Sequence, residues 1–323
     1  MARLPGPPDV RRPSLGLDVG GTTVQWVLWS AFDGTHERGE CATPSGGAEE
    51  VVQRLTRIIT AHRDVRHVAV GVPGHLSDDD RHTILLPNVA GSWSGYPLAA
   101  RLEQGTGRQV RLVNDARAFA IGELALGAAH GSTSALFVTL GTGVGGAVAL
   151  GGRVLRTPGD RLGEIGHQVV VPDGGRVCGC GARGCLETVA GGRALVQIAL
   201  GAGARLPARE DPGTAGPTVR DVVAAAAAGD LPSEAALTAA GRALGLAVGN
   251  VLSLLGLRTV VLGGGMAPAL DRMRPAFDEE LCRRRSLIAE PDVRLAELGP
   301  HAGATGAAVL AAQCEDRTGH RAP

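Results

Sequence analysis

Apolar residues fall in short runs separated by glycine pairs, and the breaks predict the elements. "LGLDVGGTTVQWVLWS" is apolar from Leu15, carries Asp18 within the run, turns on Gly20-Gly21-Thr22-Thr23 and becomes apolar again. That pattern predicts a β-hairpin. "ALFVTLGTGVGGAVALGGRVL" repeats it around Gly141-Thr142-Gly143 and Gly145-Gly146, and "TVVLGGGMA" predicts a strand ending on Gly263-Gly264-Gly265 before a helical segment. Between the hairpins, Val110 to Val113 reads as a buried strand ending in Asn114-Asp115. The alanine-rich stretch Ala116 to Ala129 after it has helical composition, as does "HAGATGAAVLAAQ" from His301. "AVGNVLSLLGLRTVVLGGG" reads as a helix end, a turn and a strand. No run supplies the ~20 unbroken apolar residues of a transmembrane helix.

At 323 residues the chain has room for about two domains. With 44% hydrophobic but only 2% aromatic residues, Leu, Val, Ile and Ala must fill the core. Cations and anions balance at 32 each, and every cation is arginine, so no global field favours nucleic acid or a membrane. Residues 1–14, "MARLPGPPDVRRPS", lack the apolar core of a signal peptide and are expected to be a disordered extension. A cytoplasmic location is the expectation, and there clustered cysteines point to metal or redox chemistry before a disulfide.

Three of the six cysteines lie within eight positions: Cys178, Cys180 and Cys185 form C-x-C-x4-C, and His167 lies eleven positions before them. Three thiolates and an imidazole are the ligand set of a closed tetrahedral zinc site, with no coordination position left for a catalytic water. The alternative is three buried or redox-active thiols. Cys41, Cys282 and Cys314 stand alone and read as small core residues. The loop is flanked by "LGEIGH" and "CLE", so Glu164 and Glu187 should be held near the metal.

In the two hairpins, glycine amides and threonine hydroxyls can face a phosphate, with Asp18 near a magnesium ion. One such loop is weak evidence. Two of them over a hundred residues apart, with a strand–GGG–helix, imply two similar lobes closing on one nucleotide. Asp115 ends a strand at the mouth of a helix, where open α/β folds place ligand chemistry. A carboxylate there can equally be a helix cap, and the sequence leaves both open.

"LDVGGTT", "GVPG" (71–74), "LPN" (86–88), "VNDARA", "LGTGVGG", "GEIGH", "CGCGARGCLE" and "LGGG" occur in the order found in the ROK family of sugar kinases and sugar-responsive repressors, and the chain resembles that family from about Leu15 to Ala311. The resemblance implies an actin-like, hexokinase-like α/β fold with ATP, Mg2+ and a sugar in the cleft between two lobes, and a structural zinc. It implies a small lobe of residues 15–115 plus about 301–323, and a large lobe of 116–300. Asp115 matches the family's catalytic base. Asn114, Glu164, His167 and Glu187 match its sugar ligands, with Gly74 and Asn88 at the cleft wall. Asp18, Gly20, Gly21, Thr22 and Thr23 match the phosphate and magnesium hairpin, and Gly141, Thr142, Gly143, Gly263, Gly264 and Gly265 the ATP segments. The histidine would hold zinc with one ring nitrogen and face the sugar with the other. Relatives are often dimers, so a homodimer is expected.

The chain departs from the pattern after Gly74, where "HLSDDDRHT" replaces a proline-valine and a short turn, and in a tryptophan that follows Pro-Asn late, in "NVAGSWSG". Both changes fall at the sugar end. The family's repressors carry a helix-turn-helix ahead of the first hairpin, which needs roughly 50 residues. Only fourteen precede Leu15, so a kinase is expected and no nucleic-acid partner, with a catalytically silent sugar-binding regulator the reading of a different class. Glucose, phosphorylated at its 6-hydroxyl, is the first choice of substrate. An amino sugar such as kanosamine, glucosamine or N-acetylmannosamine is the alternative.

Overall fold

The computed structural model describes residues 13–158, 161–207 and 216–313. Nearly all of the expected N-terminal extension (1–14), the end of the 301–323 segment and Cys314 lie outside them. The chain divides into two compact units. The first comprises 1–131, 153–162 and 297–323, and the second 132–152 and 163–296.

The first unit begins with a meander, β1 (Ser14–Val19), β2 (Thr23–Ser30) and β3 (Gly34–Ala42). α1 (Ala48–Ala61), β4 (His67–Val72), the short hairpin β5 (His75–Leu76) and β6 (Thr83–Leu85), α2 (Leu98–Thr106), β7 (Gln109–Asn114) and α3 (Asp115–Leu126) follow. Its sheet runs β3-β2-β1-β4-β7, antiparallel through the meander and parallel from β1 to β7. Period-2 alternation sorts the two faces. Leu15, Leu17 and Val19 join Val51, Leu55, Ile59, Leu98 and Leu102 of α1 and α2 in one core, with Cys41 packed half-buried against it. Gly16 and Asp18 alternate with them, and Ala69, Val113 and Ala118 pack with Ala307 and Ala311 of α9 (Ala302–Ala312) on a face of small residues.

The second unit holds β8 (Ala135–Leu140) and β9 (Val144–Leu150), and the two-residue strand β10 (Arg153–Val154) follows in the chain. Next come α4 (Glu187–Ala190), α5 (Gly192–Gly201), α6 (Val219–Ala227), α7 (Leu231–Leu255), β11 (Thr259–Gly263), α8 (Ala267–Cys282) and β12 (Asp292–Leu295). Strands β9-β8-β11-β12 repeat the plan β2-β1-β4-β7: an antiparallel hairpin, then parallel neighbours. α7 is long and apolar enough by composition to cross a membrane, but 61% of its most apolar window is buried, and it packs on α8, α6 and α5. Gly256 in the left-handed conformation (φ 64°) ends it. Cys282, expected in the core, is instead exposed at the end of α8.

The units correct the expected boundaries. The first break follows Gly131 rather than Asp115, because α3 packs along α9 and carries Ala118 into the alanine face of the first sheet. The chain also returns to the first unit for residues 153–162, and the last return begins at Glu297 rather than near 301. Glu123 explains the earlier return: this fully buried carboxylate accepts hydrogen bonds from the backbone N–H groups of Ala128 (2.8 Å), Glu297 (3.1 Å) and Leu298 (2.9 Å).

Candidate active site

Asp18 lies near the carboxyl end of β1, paired with Gly71 of β4, and Asp115 follows the carboxyl end of β7. Both thus sit at the ends of parallel strands, where α/β sheets gather ligand chemistry. No side chain fits between Asp18 and α9, since a Cβ on Gly303 would lie 2.3 Å from its Oδ2. Burial first, and then the neighbouring Asp115 carboxylate, push the Asp18 carboxyl up to about 7. Helix capping does not account for Asp115. The cap of α3 is Asn114, whose Oδ1 accepts from Arg117 N–H (3.1 Å), while Asp115 is the first helical residue with Oδ1 2.8 Å from Ala116 N–H. Asn114 also donates through Nδ2 to the Gly74 carbonyl (3.0 Å), so both ends of this expected sugar ligand hold the local backbone.

The first hairpin turns as expected at 20–23, with Gly20 N–H donating to Thr23 O (2.9 Å). Thr43, which the sequence did not single out, fastens the turn: its N–H donates to Thr22 O (3.0 Å) and its hydroxyl to Gly20 O (2.7 Å). Asn88 is exposed with φ 66°, and its backbone crowds Gly21, where a Cβ would meet the Asn88 carbonyl at 2.6 Å. The displaced tryptophan still anchors this loop. Trp93 is buried, its indole N–H reaches Val89 O at 3.2 Å, and its carbonyl accepts from the Thr83 hydroxyl at 2.6 Å.

In the second unit the turn at 141–143 is built around one carboxylate. Glu187, at the start of α4, accepts from Val144 N–H through Oε2 (3.1 Å), and that oxygen fills the space a Cβ on Gly143 would need (2.2 Å). Gly192 N–H, opening α5, donates to Gly141 O (2.8 Å), and Met266 N–H donates to Leu140 O (2.9 Å) from the turn after Gly263-Gly264-Gly265. The hairpin, the triple glycine and the start of α5 thus converge. The role of α5 was missed, although "AGG" at 190–192 was its signal.

His167, Cys178, Cys180 and Cys185 offer ligand atoms that all lie within 4.8 Å of one another. Cys178 Sγ stands 3.5 Å from His167 Nδ1, and Cys180 Sγ stands 3.6 Å from Cys185 Sγ. Sulfurs on a tetrahedron with Zn–S near 2.3 Å are about 3.8 Å apart, so the cluster fits the ion. Burial raises the Cys178 thiol and pushes Cys185 up to about 12, with the neighbouring sulfurs adding to it, whereas the Ala182 N–H lowers exposed Cys180. Buried neutral thiols beside an imidazole are what a dication would ionise. Nε2 of His167 is left toward Glu164, whose Oε2 is 3.7 Å away, the carboxylate–histidine contact that fixes a ligand's tautomer.

Residues 14–314 match the ROK family. A glucokinase of Halalkalibacterium halodurans is 32% identical over 317 residues, covering 94% of this chain and 96% of the relative. An N-acetylmannosamine kinase of Escherichia coli is 31% identical over 303 residues, covering 92% and 98%. The crystal structure of a ROK family glucokinase from Streptomyces griseus in complex with glucose and AMPPNP superposes with a TM-score of 0.78 at 32% identity, covering 93% of this chain and 99% of that one. Similarity that runs nearly the full length of both chains leaves one placement: this chain belongs to the ROK family.

Proposed function

We propose that this chain is an ATP-dependent hexokinase that moves the γ-phosphoryl group of ATP to a sugar hydroxyl, with glucose and its 6-hydroxyl the preferred acceptor. The relatives of nearly full coverage that act on sugars support phosphoryl transfer to a sugar, and the AMPPNP-bound glucokinase supports ATP as donor. The observation that carries the reading is the pair of Asp18 and Asp115 at the strand ends beside the glycine–threonine hairpin, with capping assigned to Asn114 instead.

A sugar hydroxyl is a poor nucleophile until its proton is accepted. Asp115 takes that proton as oxygen bonds to the γ-phosphorus and the bond to the β,γ-bridging oxygen breaks, releasing ADP. The 20–23 turn of the first unit and the 141–143 turn of the second would each offer backbone amides to phosphate oxygens. Asp18 would hold magnesium, which neutralises phosphoryl charge when bound. A dication beside Asp18 would offset the two effects that raise its carboxyl. Glu164, His167 and Glu187 would orient ring hydroxyls, and His167 with the three cysteines would hold zinc as a structural ion.

An amino sugar is the second reading. It is favoured by the similarity to an N-acetylmannosamine kinase and by the departure from the family pattern at 75–83. Steady-state kcat/KM over a panel of hexoses and amino-hexoses with ATP tests both. Glucose should lead by tenfold or more. A lead by N-acetylmannosamine or glucosamine selects the second reading, and no turnover with any sugar that binds selects the silent regulator.

A further inference from the structure

The hairpin β5–β6 carries one of the departures from the family pattern, the 75–83 stretch, and its backbone is unusual as well. Among the described residues only Asp80 (φ 57°) and Asn88 (φ 66°) combine a side chain with positive φ, and both lie on this hairpin or just beyond it. Such backbone persists where surrounding contacts over-determine it, and it gathers at functional sites. The turn has its own bonds: Asp80 N–H donates to Ser77 O (3.0 Å), and the Ser77 hydroxyl to Asp79 Oδ1 (2.5 Å). Arg81, beside the turn, pairs with Glu103 of α2 and accepts from Ala99 N–H through its carbonyl (3.1 Å), and an arginine from far along the chain holds the turn itself. Arg156 donates through one nitrogen to Asp80 Oδ2 (2.7 Å) and through the other to the carbonyls of Ser77 (3.1 Å) and Asp78 (2.9 Å). Arg111 of β7 lies 3.8 Å from the same Asp80 oxygen, and Leu112 N–H reaches the Asp80 carbonyl at 3.3 Å.

Three acceptors at three positions need the planar fork of a guanidinium, and an ammonium would not span them. Arg156 comes from the 153–162 segment, which belongs to the first unit although the chain on either side of it belongs to the second. The two ends of the hairpin lead straight into the site. Gly74, before β5, accepts from Asn114, the neighbour of Asp115, and Asn88, after β6, abuts Gly21 of the phosphate hairpin.

We infer that Arg156 is a positioning residue that locks the 77–80 turn and so sets affinity for the sugar, while leaving nucleotide binding and the chemical step to other residues. This rests on the sugar-kinase reading for its effect on turnover. Its structural half, the lock itself, stands apart from that reading.

The test compares wild type with Arg156→Gln, Asp80→Asn and the double variant. Arg156→Lys is a fourth form that keeps the charge and loses the fork. Each substitution should raise the KM for the preferred hexose about five- to tenfold, a modest effect because the pair is partly exposed. The kcat and the KM for ATP should stay within about twofold of wild type. The double variant should fall short of the product of the single effects, since Asp80 Oδ2 is one of the three acceptors of Arg156 and the two substitutions share that bond. Lys at 156 should behave like Gln. Unchanged sugar KM, a parallel rise in ATP KM, or a double variant showing the product of the single effects would each overturn the inference. Hydrogen exchange over residues 77–83, read by mass spectrometry, reports on the lock without catalysis: it should quicken in Arg156→Gln, and unchanged exchange would refute the lock. If wild type phosphorylates no hexose, the functional reading fails, and the exchange experiment still decides on Arg156.

Discussion

The Asp18 carboxyl makes a quantitative test of the first half-site. Its pKa stands at about 7 against 3.8 for an ordinary aspartate, raised first by burial and then by Asp115. Between those values the unfolded chain has lost the proton and the folded chain keeps it, so the folded state binds more protons. Stability of the ligand-free protein therefore falls as pH rises through this window, and the loss is complete above about 7. A shift of about 3 units at ~1.4 kcal/mol each amounts to about 4 kcal/mol, and partial solvent access reduces that to roughly 2–4 kcal/mol. Asp18→Asn keeps the shape in the space bounded by Gly71 and Gly303 and removes the ionisation. Urea unfolding at pH 5 and pH 8, without nucleotide or magnesium, is the assay. The variant should be about 1–2 kcal/mol more stable than wild type at pH 5 and about 2–4 kcal/mol more stable at pH 8, while losing its kinase activity. Equal stability of the two proteins at pH 8 would mean that Asp18 is well solvated and ionised, and the electrostatic account of the pair would fall.

Elemental analysis should find about one zinc per chain, and Cys180→Ser should lose both the metal and sugar binding. Full activity in a metal-free preparation would contradict this, and cobalt in place of zinc should preserve the reaction, since four protein ligands leave no open position. Glu123→Ala leaves three backbone N–H groups without their acceptor and should cost at least about 3 kcal/mol in urea unfolding. An unchanged denaturation midpoint would remove Glu123 as the anchor of the 297–298 return.

Much of this was legible in the sequence because it follows from local chemistry. The two hairpins announce themselves through glycine pairs inside apolar runs, and the cysteine loop through ligand types at convergent spacing. The duplicated sheet plan follows from the hairpins and the strand before Gly263. What was hidden depends on residues far apart in the chain. Whether Asp115 or Asn114 caps α3 is decided by which side chain turns back to Arg117 N–H, and both residue types suit the position. The break at Gly131 depends on α3 lying along α9, a pairing of two alanine-rich helices with no periodic signal to connect them. Gly303 looked like one more small residue, and only the approach of α9 to Asp18 gives it a reason. Thr43 and Arg156 act through hydrogen bonds to distant turns, and no motif marks either.

The most direct test of the kinase account is Asp115→Asn, read by hexose-dependent ADP release. Asn114 already caps α3, so the substitution should leave folding intact. Zinc content should not change. Loss of the like charge should lower the Asp18 pKa, which carbon NMR of the aspartate side chains can follow. If Asp115 is the base, kcat should fall about a hundredfold or more, with sugar affinity only modestly weakened because the amide still offers a hydrogen bond. Turnover at even a tenth of the wild-type rate would place the base elsewhere, with Glu164 the next candidate.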